Sequence, residues 1–305
     1  MKVDDIRRVL ILGAGTMGQQ IGFQCAMHGY EVVFYDLTQE ILDKALSRVA
    51  KLGSWYVSIG RITEEQLNQS LLRITGTPDP AKAAKDVDFV SESVPEDPEL
   101  KGKVFAQFNK LCHERTIFTT NTSMLVPSMF ALATGRPAKF AALHFHDLRI
   151  SNVVDVMPHP GTAPEVIGLI HDFARRIGQV VIMLHRENNG YVFNTMLSSL
   201  FSSALMLASR NITTIEDIDR SWMGVMHTPI GPFGIMDQVG LGTVWTITDY
   251  WAKKTGDVQA QANADFVKQY VDKGYLGAKT HKGFYSYPNA AFTNPGFLSG
   301  DMRKK

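Results

Sequence analysis

Short apolar runs recur through the first part of the chain: Val9-Leu10-Ile11-Leu12, Val32-Val33-Phe34-Tyr35, Val87-Asp88-Phe89-Val90, Thr116-Ile117-Phe118, Phe140-Ala141-Ala142-Leu143, Val153-Val154-Asp155-Val156 and Val180-Val181-Ile182-Met183. Between several of them the apolar positions take helical spacing, over 38–52, 63–72, 98–112 and 163–177, with 55–61 splitting the first two. Strands alternating with helices predict an α/β architecture, a mostly parallel, doubly wound sheet of Rossmann type. Periodicity does not settle whether the later runs add antiparallel strands. Beyond Gly190 the pattern turns helical throughout. Residues 191–209 are apolar on nearly every face, which predicts a helix buried in a core or a subunit interface. Further helices are expected over 214–224, 239–255 and 259–273, with Pro229, Gly231, Pro232 and Gly234 marking a turn. The division expected is a dinucleotide-binding domain over 1–187 and a smaller all-helical domain over 188–305. The linker falls near 185–189, and the Pro- and Gly-rich stretch 288–305 is expected to be loosely held.

The first run leads into Gly13-Ala14-Gly15-Thr16-Met17-Gly18, and the second ends in Asp36. Strand, glycine turn, helix, strand and carboxylate in this order are the context that gives a GxGxxG its meaning. Gly13 allows the tight turn, Gly15 lets backbone approach a pyrophosphate, and Gly18 lets the helix pack on the sheet. The amino end of that helix, at Thr16 and Met17, offers free N–H groups to the phosphates. Asp36 stands where a carboxylate accepts both ribose hydroxyls and repels a 2′-phosphate, and Leu37-Thr38 supply no arginine. NAD is the expected cofactor.

Charge changes the picture only by exclusion. With 31 basic and 30 acidic residues, there is no electrostatic case for nucleic acid or an anionic membrane as partner. No long uncharged span or early apolar segment suggests a membrane or secretion. Cys25 and Cys112 sit in apolar stretches and read as buried free thiols, so a cytoplasmic protein is expected.

Ligands of such sheets lie outside the carboxyl ends of the strands. Three polar clusters belong there: Thr119-Thr120-Asn121-Thr122-Ser123, His144-Phe145-His146-Asp147, and Asn188-Asn189-Gly190 before the helix carrying Asn194. Residue types alone leave other readings open. His144 is equally a satisfied strand-end histidine, Ser123 a turn residue and Asn194 a helix-start contact. His144-x-His146 with His159 suggests a metal, but no carboxylate or cysteine at ligand spacing accompanies them, so none is expected.

In order along the chain, Gly13 to Gly18, Asn121-Thr122-Ser123, Leu143-His144-Phe145, Asn189-Gly190-Tyr191-Val192-Phe193-Asn194, Gly231-Pro232-Phe233 with Asp237, and Lys279-Thr280-His281-Lys282-Gly283-Phe284-Tyr285 resemble the L-3-hydroxyacyl-CoA dehydrogenase family. The resemblance implies NAD-dependent, reversible oxidation of the 3-hydroxyl of a short-chain 3-hydroxyacyl-CoA to the 3-ketoacyl-CoA, within fatty acid metabolism, by a homodimer. It implies that His144 is the catalytic base, that a carboxylate on its other ring nitrogen is Asp155, that Ser123 holds the reacting oxygen and that Asn194 orients the substrate carbonyl and the imidazole. Glu96 and Lys101 match positions near the nicotinamide ribose, and Lys279 a further cofactor-side lysine. The bland reading of Glu96 and Lys101 is a helix-start acid and a solvated base.

The chain departs from the family pattern at several points. Asp155 replaces a Glu, one residue closer to the histidine than usual. Asp147 stands for an Asn, Leu148 for a Pro and Thr195 for an Arg. The family's coenzyme A contacts fall near Leu52 and Ile59, which carry no polar group, with Lys51 and Arg61 nearby. Val153-Val154-Asp155-Val156-Met157-Pro158-His159-Pro160 is also similar to relatives such as L-gulonate 3-dehydrogenase. The alternatives are therefore an NAD-dependent dehydrogenase of a free 3-hydroxy acid, of the L-gulonate or carnitine type, or an NAD-binding protein without turnover.

Overall fold

One sheet of eight strands organises the first part of the computed structural model, which describes residues 1–300. In chain order its strands are β1 (Arg8–Leu12), β2 (Glu31–Tyr35), β3 (Ile74–Gly76), β4 (Phe89–Glu92), β5 (Ile117–Thr120), β6 (Phe140–Phe145), β7 (Val153–Pro158) and β8 (Val180–Met183). They lie in the order β3-β2-β1-β4-β5-β6-β7-β8. Pairing is parallel from β3 to β6, antiparallel between β6 and β7, and parallel again to β8. The connection 146–152 is too short for a crossover, which needs a dozen or more residues, so β7 must turn back on β6.

Helices α1 (Thr16–Met27), α2 (Gln39–Ser58), α3 (Glu64–Leu72), α4 (Pro80–Ala84), α5 (Pro98–Asn109) and α6 (Pro164–Arg176) fill the connections. Alternation along β1 sends Val9 and Ile11 to one layer with Phe23, Phe34 and Phe173. Leu10 and Leu12 enter the other with Phe105, Phe118 and Phe140. Burial on both faces is why these strands read as continuous apolar runs. The Rossmann-type sheet followed by helices is the fold class anticipated from the pattern.

Three local expectations change. The helix after β2 does not stop before Trp55; it runs to Ser58, because Tyr56 continues the buried stripe of Leu42, Ala45, Val49 and Gly53. β3 and α4 were not anticipated, although Asp79-Pro80 carries the signal for α4: the Asp79 carboxylate accepts from the N–H groups of Ala81 and Lys82. Cys112 lies just beyond α5 rather than within it. Both thiols are free and buried, and burial pushes Cys25 up to about 12 and Cys112 up to about 11.

The chain divides into two compact units, Met1–Asn194 and the residues from Thr195 onward. The second contains most of α7 (Phe193–Ser209), then α8 (Ile215–Met226), α9 (Pro232–Val239), α10 (Leu241–Thr255) and α11 (Val258–Val271). The turn expected at 229–234 ends at Gly231, and its last residues, from Pro232, open α9. Pro232 occupies the first helical position, and Asp219 of α8 accepts from the N–H groups of Phe233 and Gly234. Asp237 in α9 accepts from Phe284 and Tyr285 backbone and from the Tyr287 hydroxyl, and a Cβ on Gly283 would lie 2.0 Å from its Oδ1. That explains structurally why Asp237 and the 279–285 segment belong together.

The helix over 191–209 is not buried on all sides. It begins at Phe193, Tyr191 takes φ of 54°, and only Ala204, Leu205 and Ala208 of α7 are buried. Its apolar surface at Phe193 and Met196 faces outward in a single chain. The segment 288–300 is not loose either: Ala290, Phe292 and Phe297 are core residues, and Arg220 donates to the Phe297 carbonyl. Residues 301–305 of the expected tail lie outside the described residues.

Candidate active site

The glycine turn connects β1 to α1 beside the end of β4. Gly13 takes φ of +94°, and a Cβ there would lie 2.8 Å from the Ser93 carbonyl oxygen, so the turn passes against β4 with no room for a side chain. At Gly18 a Cβ would lie 2.0 Å from the Gly13 carbonyl oxygen. At Gly15 it would meet nothing within 4 Å. That open ground lies before α1, whose first turn at Thr16 and Met17 has no side-chain cap. Uncapped N–H groups at a helix start fit a pyrophosphate.

Asp36 does more than expected. Its Oδ2 accepts from Ala14 N at 2.8 Å and its Oδ1 from Leu37 N at 2.8 Å, so it ties the glycine turn to the end of β2. An ionised carboxylate has about four acceptor positions. Each Asp36 oxygen therefore keeps one for a ribose hydroxyl. Thr38 caps α2 through Ile41 N, so no cation follows the carboxylate.

At the ends of β4 and β5 an unanticipated buried network appears. Glu92 is fully buried. It accepts from Lys101 Nζ at 2.8 Å, Thr120 Oγ1 at 2.6 Å and Val94 N at 2.6 Å. Burial raises its carboxyl above the ordinary range, against the pull of the Lys101 ammonium. Lys101 is not solvated: its ammonium also meets Val94 O at 3.1 Å and Glu96 Oε2 at 3.3 Å, which uses its three donors. Glu96 Oε1 in turn accepts from the Thr122 hydroxyl, Ser123 N at 3.0 Å and Met124 N at 3.1 Å. Glu96 and Lys101 thus fix the turn that carries Ser123. The amide of Asn121 closes the neighbouring edge by accepting from Phe145 N at 2.8 Å.

His144 and Asp155 are direct partners in the β6–β7 register. Nδ1 of His144 lies 3.0 Å from Asp155 Oδ2, and both side chains are buried. An ionised carboxylate cannot donate, so the neutral ring carries its proton on Nδ1 and leaves the Nε2 lone pair bare. Among the described residues no hydrogen bond engages that Nε2. Burial works to raise the Asp155 carboxyl, but the hydrogen bonds and charge of His144 and His146 outweigh it and hold the group below its ordinary value. His146, considered from the sequence only as half of a metal pair, brings its Nε2 to 3.2 Å from the same Oδ2. Against expectation, a carboxylate does accompany the histidine pair: Asp155 stands between the two rings. His159 does not join; its ring accepts from Gly161 N and faces Pro137 O.

Asp147 is paired with Arg149, whose hydrogen bonds hold its carboxyl below the ordinary range, so the charge that replaces an amide is balanced. The loop is held from α2 and the turn after it: Tyr56 OH at 3.1 Å and Arg61 Nη1 at 2.7 Å both donate to Leu148 O. Arg61 is therefore engaged, while Ile59 is exposed without a polar group. The 185–189 segment is pinned by Asn189 Nδ2, which donates to Met124 O at 2.8 Å. Tyr191 packs on the His144 ring at 4.7 Å and Phe193 on the His146 ring at 5.4 Å. Asn194, the next residue, lies in the first turn of α7. Lys279 lies in the second unit, on the turn Ala278–Thr280.

Residues 8–188 match the model for the 3-hydroxyacyl-CoA dehydrogenase NAD binding domain, and residues 190–287 that for the 3-hydroxyacyl-CoA dehydrogenase C-terminal domain. The mitochondrial hydroxyacyl-coenzyme A dehydrogenase of Rattus norvegicus is 30% identical, covering 92% of this chain and 91% of its own. Among solved structures, a diketoreductase described for dual catalysis of dicarbonyl compounds is 38% identical with a TM-score of 0.85, over 92% of this chain and 99% of its own. The (S)-3-hydroxybutyryl-CoA dehydrogenase of Ralstonia eutropha is 27% identical with a TM-score of 0.85, over 93% and 99%. No helix among the described residues is long and apolar enough to cross a membrane.

Proposed function

The chain belongs to the 3-hydroxyacyl-CoA dehydrogenase family, an NAD-dependent oxidoreductase, and from that premise we propose that it reversibly oxidises the 3-hydroxyl of a short-chain 3-hydroxyacyl-CoA, with His144 as base. The observation that carries the role of His144 is the 3.0 Å contact of its Nδ1 with Asp155. It directs the bare Nε2 lone pair away from the carboxylate, ready to take the hydroxyl proton and to return it in the reverse direction. Asp155 holds the ring in this tautomer and stabilises the imidazolium that forms. NAD held by the Gly13–Gly18 turn and Asp36 would supply a hydride acceptor. Ser123 holds the reacting oxygen, on the turn that Glu96 anchors through backbone N–H groups. Asn194 orients the carbonyl. Glu96 forms the cofactor-side contact with Lys101 acting through it, Lys279 serves the same side, and Asp36 reads the ribose, favouring NAD over its 2′-phosphate.

A second reading is favoured by a specific observation. Leu52 and Ile59 give no polar head-group contact, Arg61 is committed to Leu148 O, and the diketoreductase is more alike in sequence than the thioester enzymes described above. On that reading the substrate is a free hydroxy acid or dicarbonyl compound. Following NADH absorbance with 3-hydroxybutyryl-CoA, L-gulonate and carnitine separates the two: turnover of the thioester alone supports the first. Binding of NADH with no turnover of any substrate would leave a nucleotide carrier. We further propose a homodimer formed through the helical part, on the outward Met196, Ile212, Val225 and Met226, and a cytoplasmic setting, on the two free thiols.

A further inference from the structure

Asp155 serves two imidazoles, although the proposed chemistry needs one. His146 lies one residue beyond the end of β6, and its ring still reaches the same carboxylate as His144. The three ligand-type atoms, one from each side chain, all lie within 4.8 Å of one another. We propose that His144, His146 and Asp155 form a site for a borderline divalent cation of the zinc class, and that filling it switches the dehydrogenase off.

Two imidazoles and a carboxylate are the donor set of open zinc sites, whereas magnesium and calcium take oxygen. Zinc–ligand bonds of about 2.0–2.2 Å put neighbouring donors about 3.3 Å apart on a tetrahedron. Asp155 Oδ2 already lies 3.0 and 3.2 Å from the two ring nitrogens. A shift of a few tenths of an ångström opens that side of the site. His146 keeps 17% of its side-chain surface exposed and is the route by which an ion enters.

Coordination changes where the ring protons sit. Without metal, Nδ1 of His144 and Nε2 of His146 carry protons toward Asp155. A cation there requires both lone pairs, so each ring moves its proton through solvent to its other nitrogen, with no net proton gained or lost. On His144 that nitrogen is Nε2, which must be bare to accept the hydroxyl proton. The ion thus removes the base while leaving the nucleotide turn untouched. This consequence rests on the role proposed for His144; the binding site does not.

The test is titration of the full-length protein with Co2+ and then Zn2+. The expected result is one Co2+ per chain, with the visible absorption of a four- or five-coordinate site, displaced by Zn2+. Turnover should fall in step with occupancy and return with EDTA, while NADH binding stays unchanged. His146→Gln should weaken Co2+ binding by about tenfold or more, and its own turnover should resist Zn2+ that silences the wild type. His171→Gln, at a histidine outside the cluster, should change neither. No stoichiometric Co2+ uptake by the wild type, or uptake that His146→Gln leaves intact, overturns the site. Uptake with full turnover retained overturns the inhibition and the assignment of His144, while the site stands.

Discussion

His144 and Asp155 stand opposite each other across the antiparallel junction of β6 and β7, and that register delivers their 3.0 Å contact. Directly opposed residues bring their Cβ atoms to about 4.5–5.5 Å, a gap the short aspartate side chain spans. The one-residue-shorter spacing and the one-methylene-shorter acid are thus compatible with each other. His144→Ala is expected to lower kcat by about 10²–10⁴ with little change in NADH affinity, the usual worth of a general base. Asp155→Asn should cost a similar factor, because the amide no longer fixes the tautomer. Steady-state kinetics beside NADH fluorescence titration checks both; unaltered turnover in His144→Ala removes that residue from the mechanism.

Asp36 has two duties, and its removal should expose both. Asp36→Ala takes the acceptor from Ala14 N, loosening the glycine turn, and takes away the group that reads the ribose. Weaker NADH binding with discrimination against NADPH reduced at least about tenfold is expected, about 1.4 kcal/mol. Retained discrimination at weaker binding would leave Asp36 as a brace only.

Much of this was legible in the chain. Buried parallel strands announce themselves as apolar runs, and the glycine turn with its carboxylate is a local signal. What was not legible depends on partners distant in sequence. Glu92 reads as an ordinary strand-end acid until Lys101 and Thr120 close on it. His146 acquires a carboxylate only through the β6–β7 register. Trp55 and Tyr56 looked like a break because two aromatics in succession hide a helical stripe. At 229–234, Pro and Gly suggested a turn where Pro232 opens α9, since its cap, Asp219, lies on another helix. The apolar sequence of α7 predicts burial on every face, whereas the single chain buries only Ala204, Leu205 and Ala208.

Lys101 lies 1% exposed between two carboxylates. Lys101→Met leaves Glu92 buried without its cation, and breaking a buried pair costs about 3–5 kcal/mol. A lower urea midpoint of that order is expected, with partial recovery in Lys101→Met/Glu92→Gln. A variant as stable as the wild type would show that the pair contributes nothing net.

The outward apolar residues of the helical part should be covered in solution. Sedimentation at micromolar concentration is expected to give a dimer, and Met196→Glu together with Val225→Glu to shift it toward monomer. A wild-type monomer under those conditions counts against the proposed assembly.

Asp219 supplies a pH dependence whose sign can be worked out. Burial, opposed by hydrogen bonds from Phe233, Gly234 and Tyr285, raises its carboxyl from 3.8 to about 6. The folded state therefore holds a proton that the unfolded chain has already released, so the contribution of Asp219 to stability falls as pH rises from about 4 to about 6 and levels off above. The shift corresponds to roughly 3 kcal/mol. Asp219→Asn carries no titrating proton, while every other group is shared with the wild type. The stability of the wild type relative to Asp219→Asn should therefore drop by up to about 3 kcal/mol between pH 4 and pH 7, read by urea unfolding at each pH. A difference that stays constant would mean that the three hydrogen bonds compensate burial fully and that Asp219 titrates in the folded protein as it does in the unfolded chain.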